Sequence, residues 1–490
     1  MYEHDSKRKL RLRLTFTYAV MILTTLGLVV VALFIALGYR YNQFDGRFEQ
    51  GGMIQFNSRP SGAEIQLDAV KLSNRTATRI TATAGNHAVM VSRDGYKPWQ
   101  KQATVKPGAV LWLNYVRLVP TDPKIETAAT YGSIASVMAS FDRSRFAVIE
   151  NDTQPTVTFS RVHDANVEHS SVTVPADKIT TPSAAGSSRF SLAGWDYANK
   201  RVLVLHTYDD SKTEYLLVSK DSGDPARNIS TEFGISIAEL QYDPTDSNIA
   251  YVLTTNHDIR RLNLSTSTLS GPLVTNASSL VVAYNGWIGY ATYPDASSIR
   301  TVGYVSKDKL TAKTVQTFTN MSGRSLSYTI ASYYNELYQL VVAGDSATVY
   351  HAELPGSDST DVIKSKTIAK LSLAKDVAFA GFSPREQRFV YIQNGRDIVT
   401  YDLELSSIAT VAPSAALNAK IGWLDDFHLL STADGTIEFM DYDGTNMQTL
   451  ARGASHAATL LAGNDKFFYY FTRDEAAGTV RLMRLSLTTE

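Results

Sequence analysis

The chain of 490 residues contains no cysteine. Without a thiol there is no disulfide framework, no thiolate metal site, no cysteine nucleophile and no lipidated cysteine anchor. A surplus of either charge is missing too: 47 Lys and Arg face 48 Asp and Glu, a formal net charge of −1. Binding to a polyanion needs a basic surplus, so no nucleic-acid partner is expected. The nine histidines never fall into a His-Glu-x-x-His pair, and the closest two, His163 and His169, sit in a polar stretch. Gly344-Asp-Ser346-Ala-Thr348 lacks the last glycine of a nucleophile elbow. No phosphate-binding loop or dinucleotide glycine fingerprint occurs. Asp441-Tyr-Asp443-Gly444 opens like a calcium loop, but the glutamate such a loop needs downstream is absent, so it reads as a hairpin turn. No catalytic residue, cofactor or metal is assigned on these grounds. What remains is a globular composition, 44% hydrophobic and 19% charged.

The strongest positive signal is an apolar run near the start. No charged residue occurs from Phe16 to Gly38. As a helix the run is about 34 Å long at 1.5 Å per residue, enough for a hydrocarbon core of roughly 30 Å. Lys7, Arg8, Lys9, Arg11 and Arg13 precede it, and only Arg40 and Arg47 follow soon after. The positive-inside bias then gives a cytoplasmic tail over 1–15, a single signal-anchor span over 16–38 and an extracytoplasmic remainder. Ala36-Leu37-Gly38 passes as a signal-peptidase site, so cleavage is the alternative, though the run exceeds the usual 7–15 residues of a signal peptide's apolar region.

After a linker over 39–52, residues 53–119 alternate polar and apolar side chains in short runs. Pro60-Ser-Gly62, Gly85-Asn86, Asp94-Gly95 and Lys106-Pro-Gly108 supply turn chemistry between them. The pattern predicts a compact antiparallel β-sandwich. Ser58-Arg-Pro60-Ser-Gly62-Ala63, Gly85-Asn-His87 and Asp94-Gly95-Tyr96 resemble the PEGA domain family. Thr76-Ala77 stands where that family usually has Thr-Pro. The resemblance implies an extracytoplasmic sandwich beside a membrane anchor, in which Pro60, Gly62, Ala63, Gly85, Gly95 and Tyr96 are structural. It implies no catalytic residue. Tyr96 and Trp99 are expected to pack in the core.

Residues 121–490 are too many for one ordinary core and show no helical periodicity of useful length. They repeat instead. Phe382-Ser-Pro opens a unit with a strand, the Asn394-Gly395 turn and a strand ending Tyr401-Asp402-Leu403. Trp423 opens another, with the Asp434-Gly435 turn and Asp441-Tyr-Asp443-Gly444. Weaker copies begin at Phe141, Trp195, Tyr242, Tyr284 and Tyr333, and a last one holds Phe467–Phe471. Successive anchors lie 41 to 54 residues apart, the length of a four-stranded propeller blade. Eight blades are expected, with seven as the alternative. The final strand, Thr479–Leu487, is expected on the inside of the last blade, with 124–131 as its outer strand. The aromatic-Ser-Pro opening and the segment from Met440 to Leu450 resemble TolB-like propeller repeats, which implies a fold and no activity. Eight-bladed quinone enzymes carry a glycine and tryptophan docking repeat, which Trp195, Trp287 and Trp423 do not follow.

An all-β chain of this plan fits a membrane-anchored binding or scaffolding protein of a bacterial cell envelope, meeting an envelope protein or cell-wall glycan through propeller loops. The alternative is an envelope hydrolase, for example a glycan-cleaving one, with loop carboxylates such as Asp209, Asp210, Asp425 and Asp426.

Overall fold

The computed structural model describes every residue except 1–2, 37–38, 43–46, 164–165, 184–185, 210, 221–222, 224–225, 308, 320, 322, 354–362, 374–376, 378, 395–396, 412–420 and 490. Two compact units follow one another, Met1–Asp122 and Pro123–Glu490.

In the first unit a helix, α1, runs over Glu3–Ala36. Its stretch Arg13–Phe34 has a mean hydropathy of 2.3 and is not buried by protein, so it is long and apolar enough to cross a membrane. Thr17, Thr24 and Thr25 turn their hydroxyls back onto the carbonyls four residues earlier, which keeps these polar groups satisfied within the helix.

The sandwich is built from two sheets. One has the strand order Thr78–Ala82, Gly52–Arg59, Val110–Arg117; the other runs Val70–Arg75, Glu64–Leu67, Gly85–Ser92, Trp99–Val105. Alternate residues of each strand fill the space between them: Ile54, Phe56, Ile65, Val89, Val91, Trp99 and Leu113 are buried. The sandwich is not wholly antiparallel. Gly52–Arg59 pairs parallel to Val110–Arg117, because the chain crosses to the other sheet between them instead of returning by a hairpin.

The second unit is a ring of eight four-stranded sheets, each antiparallel, seven of them in chain order and the eighth completed by a strand from the start of the unit. The first strands of blades 1 to 7 are Ser136–Ala139, Arg189–Trp195, Ile237–Asp243, Ala277–Val282, Leu326–Tyr333, Phe379–Phe382 and Gly422–Trp423. Blade 8 consists of Leu460–Leu461, Phe467–Asp474, Thr479–Ser486 and, from the start of the unit, Ile125–Tyr131. The middle strands read as continuous apolar runs, such as Val202-Leu203-Val204, because each sheet is covered on both faces by its neighbours.

Shared cores join the blades in sequence. Phe159 and Val157 of blade 1 pack with Trp195 and Val202 of blade 2, and Leu217 of blade 2 with Tyr242 and Val252 of blade 3. The pairing continues round the ring until Phe471 and Leu482 of blade 8 meet Phe146 and Val148 of blade 1. Blades 7 and 8 join through the Ala454–Thr472 bridge and the Ser455 amide on the Phe471 carbonyl. Ile125–Tyr131 covers the edge of Thr479–Ser486, which leaves that strand paired on both sides. Thr479–Ser486 is accordingly the third strand of its blade and not the inner one, since the fourth place is filled from the front of the unit.

Candidate functional site at the axial mouth

Each blade's first and second strands are joined by a tight turn, and these turns gather around the ring axis on one face. An acidic, amide or hydroxyl side chain holds most of them. Asp196 accepts the amides of Lys200 and Arg201, Asp243 that of Thr245, Asn285 that of Trp287, and Asp425 those of Phe427 and His428. The acid or amide directly follows the opening aromatic of the repeat in Trp195-Asp196, Tyr242-Asp243 and Tyr284-Asn285.

The hydrogen bonds also set the equivalence of residues between blades. The Ser140 amide donates to Arg145 and the Asp196 amide to Arg201, both at 2.9 Å; Arg143 and Asn199 hold the same left-handed place, with φ of 59° and 58°. Phe141 therefore corresponds to Tyr197, and not to Trp195. The Ala283 amide closes blade 4's turn on Trp287, which puts Tyr284 in that place as well. Tyr334 occupies the turn of blade 5.

These turn aromatics converge. Phe141 stacks on Tyr197 with ring centres 4.3 Å apart and planes 7° from parallel. Tyr284 of blade 4 meets the Tyr197 ring edge-on at 6.2 Å, reaching past blade 3. From the other side, Arg385 of blade 6 donates to the Phe141 carbonyl of blade 1 at 3.0 Å, past blades 7 and 8. Side chains of non-adjacent blades can meet only near the axis, so the mouth of the ring is bridged by an aromatic and cationic cluster. Its outer surface is open: Phe141 is 47% and Tyr284 48% exposed, and Tyr334, which meets Tyr333 in the blade 5 turn, is 80% exposed. Burial raises the pKa of the central Tyr197, and the Tyr284 hydroxyl and Asp243 carboxylate add to the shift.

Carboxylates rim the cluster. Asp426 accepts the amides of Arg385 at 2.7 Å and Glu386 at 3.1 Å, which ties the turn of blade 7 to that of blade 6. Desolvation first, then the Asp426 charge, pushes the Glu386 carboxyl up, with Arg388 opposing and Asp425 and Glu404 reinforcing.

The remaining sequence candidates fall into place around this frame. Trp195 and Tyr242 are buried between blades, and Phe382 and Trp423 pack partly buried against theirs. Asp443 accepts the Thr445 hydroxyl, and Gly444, at φ 82°, closes the turn on Asp441, so the calcium-like stretch satisfies itself. No group of three metal-ligating side chains occurs among the described residues. Asp209 lies on the opposite face, accepting the amide and hydroxyl of Ser183. Asp425 is engaged with His428 at 2.7 Å. Asp210 and Gly395 lie outside the described residues.

In the sandwich, Pro60, Gly62 and Ala63 form a turn that Thr76 fastens from across the sheet. Thr76 accepts the Gly62 amide on its carbonyl and the Ala63 amide on its hydroxyl. Gly62 sits at φ 78°, where a side chain is strained. Gly85 opens its strand, Gly95 accepts the Thr121 amide, and Tyr96 and Trp99 are buried. Trp112, on the edge strand of the sandwich, presents an exposed ring that the alternating pattern alone did not single out.

Residues 52–121 match the family model of the PEGA domain. No curated protein matches the chain. Among solved structures, the chain is similar to an oligogalacturonate lyase in complex with manganese, at 10% identity and a TM-score of 0.38, covering 64% of this chain and 96% of that one. It is similar also to the β-propeller domain of Cps50 (Swd1) from Myceliophteria thermophila, at 12% identity and 0.39, covering 74% and 100%. A eukaryotic initiation factor gives 14% and 0.41, covering 73% and 87%. TM-scores below 0.5 transfer no ligand and no activity; the propeller rests on its own eight sheets.

Proposed function

We propose that this chain is a membrane-anchored, extracytoplasmic binding or scaffolding protein of the cell envelope, which meets an envelope protein or cell-wall glycan with its axial mouth. The observation that carries the reading is the open aromatic surface made by Phe141 and Tyr284 over Tyr197 beside Arg385, with Tyr334 exposed on the turn of blade 5. Tyrosine, other aromatics and arginine at the centre of a rigid face are the residues that dominate binding energy, and a closed ring holds them with little loss of entropy. The near-zero net charge favours shape-specific contact over electrostatic capture. The described loop acids Asp209, Asp425 and Asp426 are each committed to local hydrogen bonds, which favours binding over a hydrolase built on them.

Retention of a 41–490 fragment on purified wall glycan and on envelope protein, presented separately, tests this. Retention on one of them is expected. The triple variant Phe141→Ala, Tyr284→Ala, Tyr334→Ala should lose it by about tenfold or more, at about 1 kcal/mol or more for each central aromatic. A folded triple variant retained as well as the parent would move the interaction surface elsewhere.

A further inference from the structure

On the face of the propeller opposite the mouth, blade 2 holds three residues that no motif announces. Ser188 precedes the first strand, His206 lies near the end of the second strand, Arg201–Tyr208, and Glu214 near the start of the third, Lys212–Ser219. His206 Nε2 is 2.9 Å from the Ser188 hydroxyl, and His206 Nδ1 is 2.8 Å from Glu214 Oε1. We propose that Ser188 is a nucleophile activated by His206 and positioned through Glu214, and that it reacts with carboxylic esters. This goes beyond the binding reading and does not depend on it.

The geometry assigns the roles. Glu214 accepts the Thr180 amide at 2.9 Å and hydroxyl at 2.6 Å and the Asn228 side-chain amide at 2.8 Å, besides His206. These three donors from Thr180 and Asn228 hold it ionised, so it only accepts, and the proton between it and the imidazole belongs to Nδ1. Nε2 is then left as an acceptor facing the serine hydroxyl, the arrangement of a general base. The ring cannot swing away, because Phe190 stacks on it at 4.5 Å and Tyr208 at 5.0 Å. His206 and Glu214 are buried, while Ser188 is partly buried at the surface end of the relay. Arg189 donates to the Ser188 carbonyl at 2.8 Å, which sets a cation beside the nucleophile.

In the first step the Ser188 Oγ–carbon bond forms while its proton passes to Nε2. The ester C–O bond then breaks, and the alcohol leaves with that proton. Water attacks the acyl-serine, gives its proton to Nε2, and the proton returns to Oγ as the acid departs.

A relay that merely fastens the loop to blade 2 would have the same distances and an inert serine. The full-length protein, kept in detergent, is treated with a fluorophosphonate probe and the adduct is located by peptide mass spectrometry. The expected result is an adduct on Ser188 that survives Ser187→Ala, vanishes in Ser188→Ala, and forms about a hundredfold more slowly in His206→Gln. p-Nitrophenyl acetate should release a burst of nitrophenolate that Ser188→Ala abolishes. Absence of a Ser188 adduct on the folded parent protein overturns the proposal. So does an adduct rate unchanged in a folded His206→Gln. Should that variant unfold, the parent's burst and its loss in Ser188→Ala decide alone.

Discussion

The Asp68–His87 pair shows how a single titrating contact shapes the sandwich. His87 is buried, its Nδ1 2.6 Å from Asp68 and its Nε2 2.8 Å from the Thr83 carbonyl. Desolvation opposes its charge, but the Asp68 hydrogen bond and charge and the Thr83 carbonyl outweigh it, so the pKa is raised above 6.5. Asp68 is lowered below 3.8 by His87 and by the Ala88 amide. The His87 contribution is complete below about pH 6.5 and fades as pH rises through the raised value; the Asp68 contribution is complete above about pH 4 and fades as pH falls through the lowered one. Stability of a 52–121 fragment in urea, followed by the fluorescence of Trp99 and Trp112, should therefore peak between those limits. His87→Gln should remove the decline on the alkaline side; an unchanged decline would mean another group is responsible.

Residues that look alike in sequence separate by environment. Trp195 fills the seam between blades 1 and 2 and donates to the Met138 carbonyl, so Trp195→Ala should cost about 3–5 kcal/mol. Phe141→Ala, at the open mouth, should cost under about 1 kcal/mol. Equal losses in denaturant titrations would contradict the turn equivalence of Phe141 with Tyr197. The Arg388–Asp402 pair in blade 6 is buried and doubly hydrogen-bonded, at 3.0 and 2.7 Å. Asp402→Asn removes the buried partner's charge and leaves Arg388 its Glu404 contact at 2.7 Å, so it should destabilise by about 1–3 kcal/mol; a loss under about 0.5 kcal/mol would show that Glu404 alone satisfies the guanidinium.

At the scale of elements, the strand Ile125–Tyr131 closes the ring by pairing along Thr479–Ser486. Deleting 124–131 leaves a row of unpaired backbone groups on that strand. A lower melting temperature and concentration-dependent self-association are expected, both visible by calorimetry and gel filtration; a monomer of unchanged stability would refute the closure. The blades were legible because each needs an apolar run, a turn and an apolar run at a near-constant spacing, and Phe382, Trp423 and Asp434-Gly435 display all three. The weakly marked blades at Tyr284 and Tyr333 are as complete as the others, since sheet pairing tolerates wide variation once neighbours cover both faces. The mouth cluster and the Ser188–His206–Glu214 relay were not legible. Each joins residues whose meeting depends on ring closure or strand register: Arg385 finds Phe141 across 244 positions, and His206 finds Glu214 only because a hairpin sets them on one face. The parallel strand pair in the sandwich was hidden for the same reason.

At the scale of the molecule, one chain carries an apolar helix long enough to cross a membrane, a PEGA-type sandwich and a closed ring, and the proposed function requires the bulk to lie outside the cytoplasm. The absence of native cysteine makes its topology open to direct reading. Ser58 is buried against Thr76 and Pro60, so it is a poor reporter; Ser73 in the sandwich and Ser297 in the ring are exposed. Single variants Ser6→Cys, Ser73→Cys and Ser297→Cys are treated in intact cells with a membrane-impermeant maleimide. Labelling of Ser73→Cys and Ser297→Cys in the membrane fraction, with Ser6→Cys protected until the cells are opened, is the result this account predicts. Labelling of Ser6→Cys in intact cells, with the other two protected, would contradict it.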